Sequence, residues 1–126
     1  MYISIVTLFA DDLDRAVNFY IEKLGWIKTM DVPMGEGARW VTVAPSSEGQ
    51  TSFNLTKSGE YGTAGGMSRV ILEVDDVYQT HQALAKLGVE FTEAPRTEPW
   101  GGWAMFKDSE GNVHGLHSTG PSGASS

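Results

Sequence analysis

The sequence predicts an α+β fold made of two βαβββ modules. The first observation is an internal repeat, in which VTLFADDLDRAVNFYIEKLG (residues 6–25) recurs as VILEVDDVYQTHQALAKLG (residues 70–88). Each copy opens with an apolar run typical of a strand and continues through an Asp-Asp pair suited to capping a helix. Each copy then ends at a glycine, the residue that most often terminates a helix. The second observation is that short strand candidates follow both copies.

The middle of each copy is predicted to be an amphipathic helix. Apolar side chains recur at three- and four-residue spacing, which places them on one helical face. In the first helix this face consists of Leu13, Ala16, Val17, Tyr20 and Leu24. In the second helix it consists of Val77, Thr80, Leu84 and Leu87. Both helices are therefore expected to pack one face against a sheet.

Three strand candidates follow each helix. In the first module they span residues 27–32, 39–44 and 51–56, and in the second module residues 90–92, 102–106 and 112–117. A ferredoxin-like βαββαβ domain would also place two helices on a sheet. The additional strand candidates in each half favour two βαβββ modules instead.

Length and composition predict one domain. The chain has 126 residues, of which 40% are hydrophobic, enough for one substantial core. We expect a domain over residues 1–118, with module one at 1–57, a glycine-rich linker at 58–68 and module two at 69–118. Residues 119–126 are rich in Ser and Gly and are predicted to be a disordered tail.

Charge and cysteine content exclude several function classes. The chain contains no cysteine, which excludes disulfides, thiolate catalysis and Cys-based metal sites. Its 16 acidic and 9 basic residues give a net charge of −7, which disfavours nucleic acid and anionic membranes as partners. The N-terminal sequence lacks the basic region of a signal peptide and reaches acidic residues early, so a cytoplasmic location is expected.

Four segments resemble proteins of the vicinal oxygen chelate superfamily, which comprises glyoxalases, bleomycin-resistance proteins and dioxygenases. They are DLDRAVNFYIEKLGW (12–26), RWVTVAP (39–45), EVDDV (73–77) and WAMFKDSEGNVHGL (103–116). The resemblance covers about residues 3–117. It implies mixed sheets that curl around a cavity, and a homodimer.

The resemblance also indicates where metal ligands would lie, namely at Ile5, Asn54, Arg69 and Gly115. Isoleucine and glycine side chains donate no lone pair and arginine repels a cation, so we expect no bound metal and no other cofactor. The metal-free, drug-binding branch is therefore the most similar one. A relocated metal site stays open as a third hypothesis, although His81 is predicted on a helix and His114 and His117 on opposite strand faces.

The alternation of side chains along strands extends these four positions to a predicted cavity lining. The predicted ligand-binding residues are Ile5, Thr7, Phe9, Trp40, Thr42, Ser52, Asn54, Arg69, Glu73, Trp100, Trp103, Met105 and His117. The same face includes Ile3, Ile71 and Val113. The opposite face, predicted to pack beneath the helices, includes Val6, Leu8, Val41, Val43, Phe53, Leu55, Val70, Leu72, Phe106 and Leu116.

Individual residues on this face have structural alternatives. Trp26 and Trp40 could fill the core, and Trp100 and Trp103 could seal a dimer interface. A cation at Arg69 needs either an ion pair with Glu73 or an anionic ligand, because burying an unpaired charge is costly.

The function expected from the resemblance is non-catalytic: sequestration of a hydrophobic or aromatic antibiotic, such as a bleomycin-, mitomycin- or enediyne-like compound. The alternative is a metal-independent isomerase, cyclase or lyase. In that enzyme Glu73 or His117 would be the general base, and Arg69 or Asn54 would stabilise an oxyanion.

Overall fold

A computed structural model of the chain describes residues 1–119 and divides into two compact units, Met1–Gly65 and the chain from Gly66 onward. Each unit contains a strand, a helix and three further strands in that order. The predicted α+β architecture of two βαβββ modules is therefore confirmed. Apart from Thr119, the predicted tail lies outside the described residues. Neither helix in the described part is long and apolar enough to cross a membrane.

The first module is a four-stranded mixed sheet with one helix. Its elements are β1 (Ile5–Ala10), α1 (Leu13–Asn18), a π-helical continuation (Phe19–Lys23), β2 (Ile27–Pro33), β3 (Arg39–Ala44) and β4 (Ser52–Lys57). The strand order is β1-β4-β3-β2. Strand β1 runs parallel to β4, and the other pairs are antiparallel.

The predicted start and end of α1 are confirmed. The carboxylate of Asp12 accepts a hydrogen bond of 3.0 Å from the backbone N–H of Arg15. Gly25, with φ 73°, follows the helical segment and turns the chain toward β2. Beneath the helix, the ring centroids of Trp26, Tyr20 and Phe53 lie 5.2 to 5.8 Å apart. Trp26 thus packs within this aromatic cluster, in agreement with the alternative that it fills the core and does not contact a ligand.

The second module repeats this plan. Its elements are β5 (Gly66–Glu73), α2 (Val77–Lys86), β6 (Phe91–Glu98), β7 (Gly101–Lys107) and β8 (Asn112–Ser118). The strand order is β5-β8-β7-β6, with β5 parallel to β8. Asp76 caps α2 by accepting from the backbone N–H groups of Tyr78 and Gln79, and Gly88, with φ 89°, follows its C-terminus.

Two details of the second module differ from the sequence predictions. Strand β6 extends to Glu98, so the prediction that it ends at residue 92 is wrong. It includes Pro95, which is tolerated because β6 is an edge strand with no further neighbour to bond. Helix α2 ends at Lys86, and Leu87 is 45% exposed instead of packing on the sheet.

Burial separates the two predicted faces only on β1 and β5, because on β3, β4, β7 and β8 residues of both faces are buried. The side chains predicted to lie beneath the helices are largely buried, and the most buried of them are Leu8, Val41, Val43, Phe53, Leu55, Phe106 and Leu116. On β5 the pattern is an alternation in which Met67, Arg69, Ile71 and Glu73 are exposed. The second sheet therefore presents this alternate face away from its core.

Candidate functional site

The second module contains a hollow of about 420 Å³ on the sheet face opposite its core. Strands β5, β7 and β8 supply nearly all of its walls. Most lining side chains are apolar, and the polar ones are Arg69 and Glu93. The full lining is Met67, Arg69, Val70, Ile71, Glu93, Trp103, Met105, Val113 and Gly115.

The floor of the hollow depends on the glycine at position 115. A Cβ atom there would lie 2.6 Å from Cη2 of Trp103 and 3.3 Å from Cγ1 of Ile71. The backbone register explains this proximity, because Gly115 pairs with Met105 on β7 and with Ile71 on β5. The absence of a side chain at residue 115 therefore allows the indole to lie directly on the sheet.

A bulge in β5 shapes the opposite wall. Met67 pairs with Val113 and Ile71 pairs with Gly115, so three residues of β5 (68–70) oppose one residue of β8. Ser68 anchors this bulge, because its hydroxyl donates to the backbone oxygen of Val113 at 2.8 Å. Such bulges redirect side chains, and this one places Arg69 in the lining of the hollow.

The two charged residues of the hollow have different surroundings. The Glu93 carboxylate accepts hydrogen bonds from Nη1 of Arg96 at 2.7 Å and from Nε1 of Trp103 at 3.3 Å. The bond from Arg96, followed by that from Trp103, lowers the pKa of Glu93 below its usual value. The Arg69 side chain forms no hydrogen bond or ion pair with any residue from 1 to 119. Of the two alternatives left open for Arg69, the ion pair with Glu73 is therefore not formed.

Glu73 instead binds His117, its neighbour in the β5–β8 register. Its carboxylate lies 2.7 Å from Nδ1 of His117, and Nε2 of the same ring lies 2.9 Å from the backbone oxygen of Trp100. Both partners accept hydrogen bonds, so the ring satisfies both only when both nitrogens are protonated. The bond to Glu73, followed by that to Trp100, raises the pKa of His117 above its usual value.

Two tryptophan rings lie next to this pair, and one of them, Trp103, also lines the hollow. The indole of Trp100 stacks on His117 at an interplanar angle of 19°, and it meets Trp103 edge-on with centroids 5.5 Å apart. Gly101, with φ 130°, brings the β7 backbone against His117 and Ser118 so closely that a Cβ would collide with both. The ring cluster is therefore held on the same sheet as the hollow.

The predicted ligand-binding residues of the second module fall into two neighbouring groups on this sheet. Arg69, Trp103 and Met105 line the hollow itself. Glu73, Trp100 and His117 form the adjacent cluster, and His117 pairs in register with Trp103. The prediction that His114 and His117 occupy opposite faces agrees with burial, because His114 is 0% exposed against Phe106.

The predicted residues of the first module lie on its own sheet, and two of them are buried polar residues. Asn54 is buried, donates to the backbone oxygen of Val41 at 3.1 Å, and accepts from the hydroxyl of Thr56 at 2.7 Å. Thr42 is also buried and shares a 2.5 Å hydrogen bond with Thr29. These bonds engage the polar atoms that Asn54 and Thr42 would need for direct ligand contact.

The other predicted residues of this module lie along the same strands. Phe9 is covered by Gly62, where a Cβ would collide with its ring. Ile5 is 41% exposed and pairs in register with Ser52. Thr7 pairs with Asn54, and Trp40 is half-buried opposite Val32.

Sequence reasoning missed two residues of the hollow and wrongly placed a third, Val70, on the opposite face beneath the helices. Met67 fell inside the predicted linker, whereas the structure makes it the second residue of β5. Glu93 lies just beyond the predicted end of β6. The β-branched Thr92 and the Thr97–Glu98 pair were weak signals that the strand continues past residue 92. The hollow is also lined by three residues that strand alternation predicts on this face, Ile71, Val113 and Gly115.

The residues at the four family metal-ligand positions do not fit a divalent ion. In the first module Ile5 has no donor atom, and Asn54 uses its amide within its own sheet. In the second module Arg69 is a cation and Gly115 has no side chain. Within the described part of the chain, no group of three or more His, Cys, Asp or Glu side chains is arranged to hold a metal.

Comparisons with known proteins agree with this fold. TnmS3, described as an antibiotic binding protein from Streptomyces sp. CB03234, superposes with a TM-score of 0.82 at 32% identity, over 94% of this chain and 95% of that chain. A structure from Sphaerobacter thermophilus, described as a member of the glyoxalase/bleomycin resistance protein/dioxygenase superfamily, gives a TM-score of 0.86 at 29% identity. The match covers 94% of this chain and 97% of that chain.

Sequence relatives support the same assignment. The uncharacterized protein YetH of Bacillus subtilis is 32% identical over 111 residues, which cover 88% of this chain and 92% of YetH. Residues 2–114 match the profile of a single superfamily. The chain therefore belongs to the Glyoxalase/Bleomycin resistance protein/Dioxygenase superfamily.

Proposed function

We propose that this protein binds and sequesters a hydrophobic or aromatic natural product of the antibiotic class, bleomycin-, mitomycin- or enediyne-like, without modifying it. The observation that carries the proposal is the hollow of the second module, whose floor is the indole of Trp103 lying on Gly115. A flat aromatic surface of this kind favours a planar ligand, because offset or edge-to-face ring contacts add about 0.5–1.5 kcal/mol beyond burial.

The composition of the hollow supports ligand binding. Small-molecule sites are concave, mostly apolar and supplied with a few polar groups that orient the ligand. Here the apolar walls include Met67, Ile71 and Met105, and the polar groups are Arg69 and Glu93. The volume of about 420 Å³ lies within the usual range for such sites. TnmS3, a structural neighbour over most of both chains, is described as an antibiotic binding protein.

The surroundings of His117 favour binding over general-base catalysis. A general base needs a free lone pair directed at the substrate. The two ring nitrogens of His117 face the Glu73 carboxylate and the Trp100 backbone oxygen. Since a carboxylate and a carbonyl both accept, the imidazole acts as a double donor and has no lone pair left for a substrate proton.

Sequestration also requires affinity tight enough for stoichiometric protection. A ligand of about 40 heavy atoms at about −0.3 kcal/mol per atom would reach about −12 kcal/mol, which corresponds to nanomolar dissociation constants. A host protects its own targets only if the binding protein shares their compartment. We therefore propose that the protein acts in the cytoplasm.

We further propose that the protein works as a homodimer. In the first module, large apolar side chains are solvent-exposed on β1 and β2, including Ile5 at 41%, Met30 at 48% and Val32 at 44%. Met30 and Val32 lie two residues apart on the edge strand β2 and therefore on one face, and exposed apolar surface of this kind commonly marks an interface. Light scattering on a gel-filtration column tests this directly, and a monomer at micromolar concentration would contradict it.

The binding function is tested by titrating the protein with aromatic antibiotics while following tryptophan fluorescence. We expect saturable quenching, a fixed stoichiometry, and recovery of the ligand with unchanged mass and chromatographic retention. Trp103→Leu should weaken binding about tenfold, whereas Trp26→Phe, in the aromatic cluster of module one, should not. A recovered product with altered retention would instead identify an isomerase, cyclase or lyase.

A further inference from the structure

The hollow of the second module contains one compensated charge and one uncompensated charge. Glu93 is held by Arg96 and by the indole N–H of Trp103. Arg69 has no carboxylate partner among residues 1–119, because the other acidic residue on this face, Glu73, is bonded to His117. Of the two charged residues that line the hollow, Arg69 is therefore the one without a partner of opposite charge in the described part of the chain.

The backbone at Arg69 is strained in a way that arginine rarely tolerates. Its φ of 65° makes it the only non-glycine residue from 1 to 119 with a left-handed backbone. This conformation is unfavourable for an L-residue, because it brings the Cβ atom too close to the following carbonyl oxygen. Strained residues persist where the surrounding structure enforces them, and they cluster at binding sites. Here the bulge anchored by Ser68 enforces the conformation.

Arg69 is exposed at the hollow, so its guanidinium is accessible to a ligand that supplies the opposite charge. The protein carries a net charge of −7, so an anionic ligand is repelled by most of its surface. A single uncompensated guanidinium at the site offsets that repulsion locally. Guanidinium groups also match carboxylates in geometry, since two N–H groups can bond both oxygens at once.

We propose that Arg69 is the anion-binding residue of this site and that the natural ligand is a planar aromatic molecule bearing a carboxylate. The aromatic system lies against Trp103, Met105 and Ile71, and the carboxylate pairs with Arg69. This inference rests on the proposed binding function and narrows it to a ligand class. It also assigns the strained bulge a role in specificity.

The test compares two probes of the same shape, anthracene-2-carboxylate and anthracene-2-carboxamide, by fluorescence titration at low ionic strength. The wild-type protein should bind the carboxylate about tenfold more tightly than the amide, and added salt should reduce this preference. Arg69→Met should abolish the preference, so that the two probes bind with equal affinity. Lys107→Met, which removes one positive charge elsewhere in the same module, should retain it.

Arg69→Gly provides a second variant, because glycine adopts the left-handed backbone without strain. It should also lose the preference for the carboxylate, and Arg69→Lys should keep part of it. Equal affinities for the two probes in the wild type, or an unchanged ratio in both Arg69→Met and Arg69→Gly, would overturn the assignment of Arg69. If neither probe saturates the wild type, the proposed binding function fails together with the assignment of Arg69. Saturable binding of both probes with equal affinity contradicts the assignment of Arg69 alone.

Discussion

The indole of Trp103 lies so close to the backbone of Gly115 that a Cβ at residue 115 would sit 2.6 Å from Cη2 and 3.1 Å from Cζ3. Real Cβ atoms essentially never approach a heavy atom within 3.0 Å, so the two residues depend on each other. Position 115 is where the family resemblance indicates a metal ligand. In this protein the space beside that position is filled by an aromatic ring.

Gly115→Ala should displace the indole and weaken the binding of aromatic probes. The added methyl group must move Trp103 away from the sheet or strain the strand, and overpacking of this kind costs about 1–3 kcal/mol. We expect a lower melting temperature and about a tenfold or greater loss of affinity for anthracene-2-carboxamide. Calorimetry and fluorescence titration measure the two effects.

Gly49→Ala is the matched control for this substitution. Gly49 does not have a positive φ, and the nearest atom to its added Cβ would be a backbone oxygen 4.0 Å away. Its stability should stay within about 0.5 kcal/mol of the wild type. Equal affinities in Gly115→Ala and Gly49→Ala would show that the position of Trp103 is unimportant for binding.

The face on which a strand residue lies could be predicted from sequence where local alternation alone decides it, but not at Val70 in the bulge of β5. Ile71, Val113 and Gly115 were assigned to one face, and all three line the hollow. The hollow's charged contacts could not be predicted in the same way. Whether Glu73 pairs with Arg69 or His117 depends on register between β5 and β8, and these strands are separated in the chain by a helix and two further strands.

His117 should make stability depend on pH. Its pKa is raised in the folded state, so its contribution is fully present below the unfolded-state value of about 6.5 and is lost as pH rises through the folded-state pKa. His117→Gln should therefore destabilise the protein more at about pH 6 than at about pH 9. Melting temperatures of both proteins at the two pH values test this.

Glu73→Gln tests the cause of that pH dependence. The bond to Glu73 is the largest contribution to the raised pKa of His117, so replacing the carboxylate should reduce the pH dependence of the melting temperature. Glu60→Gln, at an exposed position in the first unit, should keep the wild-type dependence. If the melting temperatures of wild type and His117→Gln differ by the same amount at about pH 6 and about pH 9, His117 is not the source of the pH dependence.

The ends of strands were less predictable than their faces. Strand β5 begins at Gly66, directly after Gly65, so Met67 falls within the glycine-rich stretch that resembled a linker. Strand β6 contains Pro95, which normally marks a strand boundary, and only its position at the sheet edge makes proline tolerable there. Whether a strand lies at the edge depends on how the whole sheet assembles, so the residues around Pro95 do not determine it.

Asp108 should be a strong determinant of stability in the second module. Its buried carboxylate accepts hydrogen bonds from the backbone N–H groups of Glu110 at 2.8 Å and Asn112 at 3.0 Å, and from the Asn112 side chain at 3.0 Å. Asp108→Ala leaves these buried donors without their acceptor, which should lower the free energy of unfolding by about 2–4 kcal/mol. Urea denaturation measures this loss. Asp75→Ala, at an exposed position, should change it by less than about 0.5 kcal/mol, and similar losses in both variants would contradict the prediction.

Arg69 allows the backbone strain to be separated from the side chain's interactions. Arg69→Ala and Arg69→Gly both remove the guanidinium, but only glycine relieves the left-handed conformation at φ 65°. The glycine variant should therefore be more stable than the alanine variant by about 1 kcal/mol, the reverse of their order within an ordinary strand. Urea denaturation of the two variants gives the difference directly. A more stable alanine variant would mean that the bulge relaxes when the arginine is removed, so that the side chain itself, and not Ser68, holds the backbone in place.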